Sequence, residues 1–360
     1  MTMGYRLFGR SGLRVSELAL GTMTFGTDWG WGADRDECGK MFEAYAAAGG
    51  NFVDTANNYT NGTSERVVGE LVAADRDHFV VATKYSLSTR PDDPNAGGNH
   101  RKSLVRALEG SLRRLGTGYV DLLWVHMWDA MTPVEEVVRA LDDLVRAGKV
   151  LYVGSSDTPA WAVARAVTLA ELRGWSAFCG LQVPWSLADR AVEREHLPLA
   201  AALDLAVTPW GVLESGELTG KYLTEAQPAG NAALDPAGGP GRPTRSRPEA
   251  VSPRVNELAR EVVAVAAELG RSPAQVAINW VRQQEPGCPV IPIVGARSAA
   301  QLADNLGCLD FRLTQAQLDH LAAASAFQPG FPRSFLESDH VRGLIFGETF
   351  DRIAGHRRAG

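Results

Sequence analysis

Four residues of this chain carry side chains that could do chemistry together: Asp54, Tyr59, Lys84 and His126. Asp54 and Lys84 close the apolar runs Phe52-Val53 and Val80-Val-Ala-Thr83, His126 follows Leu122-Leu-Trp-Val125, and Tyr59 lies five residues after Asp54. Taken singly, each has an ordinary structural role: a lysine ending a strand reaches solvent, an aspartate caps, and a histidine packs. Together they form a circuit. An ammonium beside a carboxylate stays charged, and its field lowers the pKa of a neighbouring phenol from about 10. A phenol so tuned donates a proton to a carbonyl oxygen as negative charge develops there, and an imidazole opposite holds that oxygen in place. The circuit contains no electron source, so reduction requires a bound cofactor. Two other readings use the same residues. Lys84 could serve as the nucleophile of a Schiff-base lyase or aldolase, or the chain could be a cofactor-binding regulatory subunit without turnover.

The elements that must position these groups alternate regularly. Short apolar runs of strand length occupy residues 17–20, 51–53, 79–82, 121–125, 151–153, 178–182, 205–208 and 290–293. Segments of helical period lie between them, at 35–48, 64–71, 102–115, 132–148, 159–172, 255–269 and 299–306. In 132–148, Thr132 is the expected cap and Pro133 the first helical residue. Glu135 and Glu136 fall in the first turn, and Gly148 stands where a left-handed end belongs. Strands alternating with helices imply parallel pairing and right-handed crossovers. No first turn carries GxGxxG, and Gly216-Glu-Leu-Thr-Gly220-Lys221 lacks the Ser or Thr of a phosphate-binding P-loop. Eight units predict an α/β fold, a (β/α)8 TIM barrel in one domain over 1–360. Residues 1–16 read as an N-terminal β-hairpin. Residues 226–253, with six prolines and four glycines, read as a long loop after the seventh strand, a lid over a bound anion. Residues 331–360 read as a tail over the barrel mouth.

Composition bounds the partners. With 45% hydrophobic and 22% charged residues and a net charge of −6, the chain has globular composition and no basic block for nucleic acid. No apolar stretch reaches the roughly 18 residues of a membrane span. Cys38, Cys179, Cys288 and Cys308 lack zinc or redox spacing, and the histidines show no HxxxH, so no metal is expected. The start of the chain has no basic-then-apolar leader, which with reduced thiols points to a cytoplasmic protein. Trp29, Trp31 and Trp128, on the expected catalytic face, are candidate substrate-pocket residues for an aromatic or aliphatic aldehyde or a keto sugar.

Several motifs then occur in order: Leu20-Gly-Thr-Met-Thr-Phe-Gly26, Phe52-Val-Asp-Thr-Ala-Asn-Asn-Tyr59 with Gly62-Thr-Ser-Glu65, Val80-Val-Ala-Thr-Lys84, Leu123-Trp-Val-His126, Gln182-Val-Pro-Trp-Ser186, Leu218-Thr-Gly-Lys-Tyr222 and Ile291-Pro-Ile-Val-Gly-Ala-Arg297. In these the chain resembles the aldo-keto reductase superfamily. Trp29-Gly-Trp-Gly32 makes it similar to the bacterial aryl-alcohol-dehydrogenase-like and sugar-ketoreductase branches. The resemblance implies an NADPH-dependent carbonyl reductase, with NADH as the alternative, acting on a small-molecule carbonyl substrate, with a homo-oligomer open. It implies Asp54, Tyr59, Lys84 and His126 as the catalytic tetrad, with Tyr59 the general acid. Gly21, Thr22 and Met23 would lie beneath the nicotinamide. Ser156, Asp157 and Gln182 would meet its carboxamide, and Trp185 would stack on the ring. Pro209, Trp210, Leu213, Ser215, Gly216 and Lys221 would cover the pyrophosphate. Gly295, Ala296, Arg297, Ser298, Gln301, Asp304 and Asn305 would hold the adenosine and its 2′-phosphate, Arg297 being the phosphate's partner. The chain departs from the family pattern at Asp157, where asparagine is common, at Gly211-Val212, at Glu214, and at Gln301, where many members carry a second base.

Overall fold

The computed structural model describes residues 3–223 and 251–353. Strands β1 (Tyr5–Leu7) and β2 (Arg14–Ser16) pair antiparallel as a hairpin. Eight parallel strands follow: β3 (Ala19–Gly21), β4 (Phe52–Asp54), β5 (Val80–Tyr85), β6 (Val120–Val125), β7 (Val150–Ser156), β8 (Phe178–Pro184), β9 (Ala206–Trp210) and β10 (Ile293–Val294). Their order is β10-β3-β4-β5-β6-β7-β8-β9. A parallel bridge between Val207 and Val290 joins the two ends, so the sheet closes as the expected barrel. β4, β5 and β6 are buried along their whole length, which is why they read as continuous apolar runs.

The hairpin stops the N-terminal end of the barrel. Phe8, from its turn, enters the bore and meets Phe52 and Trp124 edge-on at ring separations of 5.7 and 6.1 Å. Two glycines make room for these rings. A Cβ on Gly180 would lie 2.6 Å from Phe8, and one on Gly154 would lie 2.4 Å from Trp124. The bore is thus filled with side chains up to the level of Trp124.

The helices form where the apolar period placed them, with small shifts at their ends. Val134–Arg146 buries Val134, Val137, Val138, Leu141 and Leu144 on one stripe. Its cap is Pro133, not Thr132, because the Thr132 amide and hydroxyl both donate to the Asp129 carboxylate, at 2.8 and 2.7 Å. Gly148 does adopt the left-handed conformation, with φ of 69°. Pro273–Arg282 was not expected as a helix. It is buried on every side, so it has no polar stripe to give it a period.

Of the expected lid at 226–253, only 251–253 lie among the described residues, where Pro253 opens the helix Pro253–Leu269. The tail contains the helices Arg333–Leu336 and Asp339–Phe346. It is tied beside the loop that follows β8, where Arg333 Nη1 donates to the Glu193 carbonyl at 2.7 Å. Among the described residues no helix is long and apolar enough to cross a membrane, and no cluster of side chains could hold a metal ion. The four cysteines are unpaired, and burial pushes the thiol of Cys38 up to about 11 and that of Cys179 up to about 12.

Candidate active site

The four chemistry-bearing residues meet at the C-terminal mouth of the barrel. Asp54 ends β4, Lys84 is the penultimate residue of β5, and His126 follows β6, its amide donating to the Tyr85 carbonyl at 2.9 Å. Tyr59 begins a short turn, Tyr59–Gly62, in which Thr60 and Asn61 take left-handed φ angles of 43 and 55°. The Thr60 hydroxyl donates to the Phe25 carbonyl at 2.6 Å and holds that strained turn in place.

Lys84 is fully buried. Its ammonium ion-pairs with Asp54 Oδ2 and donates to the Thr55 carbonyl at 2.9 Å and to Tyr59 Oη at 3.2 Å. Three N–H groups thus find three acceptors. Burial pulls the Lys84 pKa down, but the Asp54 charge and the contacts with Asp54 and Tyr59 outweigh it and hold the pKa above the ordinary lysine value. A permanently charged Lys84 is a poor Schiff-base nucleophile. The other oxygen of Asp54, Oδ1, accepts from Gln182 Nε2 at 2.9 Å. The Thr22 amide and hydroxyl donate to the Asp54 carbonyl, at 3.0 and 2.9 Å. His126 faces Tyr59 edge-on at 5.9 Å, and its Nδ1 is buried with no hydrogen-bond partner among the described residues. Burial, reinforced by the Lys84 charge, pushes the imidazole pKa down to about 3, so the ring is neutral.

Aromatic rings extend from this centre. Trp29 lies edge-on to Tyr59 at 6.5 Å and tilted against Trp31 at 5.4 Å. Trp128, half-buried, donates its backbone amide to the Asp157 carbonyl at 3.4 Å. Trp210 ends β9 with its ring 37% exposed, and its indole nitrogen donates to Asp157 Oδ1 at 3.2 Å. Burial raises the Asp157 carboxyl, with the Trp210 bond and the Lys84 charge opposing it. Trp185 does not fit the stacking place. Its ring is buried against Trp280 at 6.2 Å and its nitrogen is bound by Glu193 at 2.9 Å. Trp210 is the aromatic that this side of the mouth presents. Both residues follow apolar strands, and the sequence offers no means to tell which ring turns outward.

The remaining expected ligand residues sit past β3, β7, β9 and β10. Gly21 closes β3, with Thr22 and Met23 after it, and Ser156 closes β7 with Asp157 after it. Pro209 and Trp210 close β9, and Leu213 precedes a turn in which Glu214, Ser215 and Gly216 all have positive φ. Glu214 turns its carboxylate onto the Ser186 hydroxyl, 2.6 Å away, and burial raises its pKa. Gly216 holds a left-handed φ of 87°, the conformation that favours glycine. Past β10, Gly295 and Ala296 lead into the helix Ala299–Leu306, whose Ser298 cap accepts from the Gln301 amide at 3.3 Å. The Gln301 side chain turns back to the Arg297 amide at 2.9 Å, Asp304 binds Ser272 and Gln275, and Asn305 donates to the Gly295 carbonyl at 3.2 Å. Of this group, Arg297 offers its guanidinium towards the mouth-side rings, 5.6 Å over Trp31. Glu37 went unnoticed in the sequence. Its carboxylate accepts the Ala299 amide at 2.6 Å, at the helix N-terminus where an anion would otherwise sit.

Comparison with known families matches residues 17–326 to the Aldo/keto reductase family. The chain is 38% identical to the norsolorinic acid reductase stcV of Emericella nidulans, with 91% of this chain and 82% of that one aligned. It is 36% identical to an NADP(+) aryl-alcohol dehydrogenase of Phanerodontia chrysosporium, covering 97% and 90% of the two chains. It is 35% identical to a norsolorinic acid reductase of Aspergillus flavus, covering 93% and 84%.

Proposed function

The chain belongs to the aldo/keto reductase family, and we propose on that premise that it reduces aryl aldehydes or ketones with NADPH, Tyr59 giving the proton to the carbonyl oxygen. Membership makes it an NAD(P)H-dependent oxidoreductase acting on carbonyl groups. One observation carries the finer reading: a fully buried ammonium, held by a carboxylate, has its third N–H on a phenol at the barrel mouth.

A nicotinamide, when bound, would supply the hydride. Everything else falls to residues of the chain. His126, neutral, can hold the carbonyl oxygen by hydrogen bond without competing to protonate it. Tyr59 Oη donates the proton as charge develops on that oxygen, and Lys84 stabilises the phenolate left behind. Trp210, with its ring at the mouth, would lie against the nicotinamide. Ser156 and Asp157 would meet its carboxamide. Lys221 and Arg297 would hold the phosphates, Arg297 setting the preference for NADPH over NADH. Trp29, Trp31 and Trp128 would line the substrate's path and favour a flat apolar ring. The names of the relatives, norsolorinic acid reductase and aryl-alcohol dehydrogenase, support the same class.

The test is a panel of carbonyl compounds followed by loss of NADPH absorbance. Aromatic aldehydes and ketones should be consumed with the highest kcat/KM. Preference for keto sugars would overturn the substrate class, and no turnover of any carbonyl would overturn the reading as a reductase.

A further inference from the structure

We propose that Gln182 is a positioning residue of the reaction centre, its amide holding Asp54 from the opposite wall of the barrel and thereby setting how acidic Tyr59 is. In the ring order β4 and β8 stand four places apart among eight strands, so Asp54 and Gln182 face each other across the bore. Their side chains meet there, Nε2 to Oδ1 at 2.9 Å, and both are buried. The orientation of the amide is fixed by chemistry. A carboxylate only accepts, so the nitrogen of Gln182 must be the atom that faces it.

The consequence runs through Lys84. Asp54 shares its charge between Oδ2, on the ammonium, and Oδ1, on the amide. The amide draws negative charge away from the ion pair, so the Lys84 field at Tyr59 is less fully cancelled. Remove the donor and Asp54 holds Lys84 harder, the field at Tyr59 weakens, and the phenol becomes a poorer acid. The described titratable groups named around this centre are Asp54, Lys84, His126 and Asp157, the last acting through its attraction to Lys84. His126 is neutral throughout the range in which a phenol ionises. One of the two amide protons is committed, which leaves the oxygen and the other N–H of Gln182 for a cofactor carboxamide. The inference rests on the reductase reading for its meaning in turnover, but not for its test.

The test titrates the protein without cofactor or substrate. Tyrosine labelled with carbon-13 at Cζ reports phenol ionisation, and among the seven tyrosines the Tyr59 signal is the one lost in Tyr59→Phe. Two variants remove the donor in different ways: Gln182→Met keeps the length without the amide, and Gln182→Asn keeps an amide too short to cross the bore. In both, the Tyr59 midpoint should rise by about half a pH unit or more. NADPH affinity, read by fluorescence titration, separates loss of a carboxamide contact from loss of the Asp54 bond. A midpoint within about 0.2 unit of the wild type in both variants, or a fall, would overturn the proposal. A tenfold loss of NADPH affinity with an unmoved midpoint would assign Gln182 to the cofactor alone. If the wild type reduces no carbonyl, the reductase reading fails while this titration still reports on Gln182.

Discussion

The two sides of the barrel mouth are built differently. On the side of β4, β5 and β6, the reacting groups are finished before any ligand arrives. Both oxygens of Asp54 are bound, all three protons of Lys84 have acceptors, and the Tyr59 turn is held from Phe25. On the side of β9 and β10, charged groups hold one another in positions that an anion would have to take over. Arg297 lies over Trp31, Lys221 lies over Tyr222 and attracts Glu217, and Glu37 occupies an amide at a helix N-terminus. On the proposed reading the chemistry is preorganised, whereas binding would proceed by exchange of partners. Apparent affinity on the second side is therefore a difference between two sets of contacts.

The sharpest separation of the two sides comes from Tyr59→Phe. Turnover should fall by about a thousandfold, while the dissociation constant for NADPH, measured by fluorescence, stays within about threefold. An equal loss in both would mean the sides are not separate. Next in size is a pH effect confined to the finished side. Burial first, and the Lys84 charge second, hold His126 far below its unfolded pKa of 6.5, at about 3. Between those values the unfolded chain binds a proton that the native one does not, so stability falls as pH drops from 6.5 towards 3. Urea unfolding at several pH values should show this as an excess slope of at most about 1.4 kcal/mol per pH unit in the wild type over His126→Gln.

How much of this contrast the sequence contains depends on the side. Asp54, Lys84 and His126 were legible because parallel strands buried on both faces write themselves as apolar runs, and a polar residue ending such a run marks the mouth. Tyr59 was legible only by its company. The bond from Gln182 to Asp54 was not, since 128 residues separate the partners and nothing local encodes a pairing across the bore. The exchange of Trp185 for Trp210 has a similar cause: both are tryptophans at strand ends, and packing against Trp280 with the bond to Glu193 turns one inward. Gln301 could have been read more fully, because Ser298 and Gln301 have the spacing of a capping pair, and the structure spends Gln301 on that turn.

Smaller effects belong to the exchanging side. Arg297→Ala should weaken NADPH by about tenfold and NADH by less than about twofold, since only the former carries the 2′-phosphate. Equal weakening would remove Arg297 from phosphate recognition. The smallest change is expected from Asp157→Asn. It restores a donor where a raised, half-buried carboxyl now stands, and should tighten both dinucleotides by about threefold while keeping the contact with Trp210. A weakening would mean that the carboxylate itself is what the carboxamide uses.

The closure of the barrel carries one further consequence. β10 is two residues long, and β9 is joined to the segment just before it by the Val207–Val290 bridge, the Val207 amide donating to the Pro289 carbonyl and the Ile291 amide to the Val207 carbonyl, at 2.7 and 2.8 Å. The cylinder thus has a seam, with Lys221 in the segment that follows β9 and Arg297 in the one that follows β10. A dinucleotide gripping both would lace that seam shut. The same binding event that fills the groove would then stiffen the wall behind it, and slower amide exchange at Val207 and Ile291 would record the lacing.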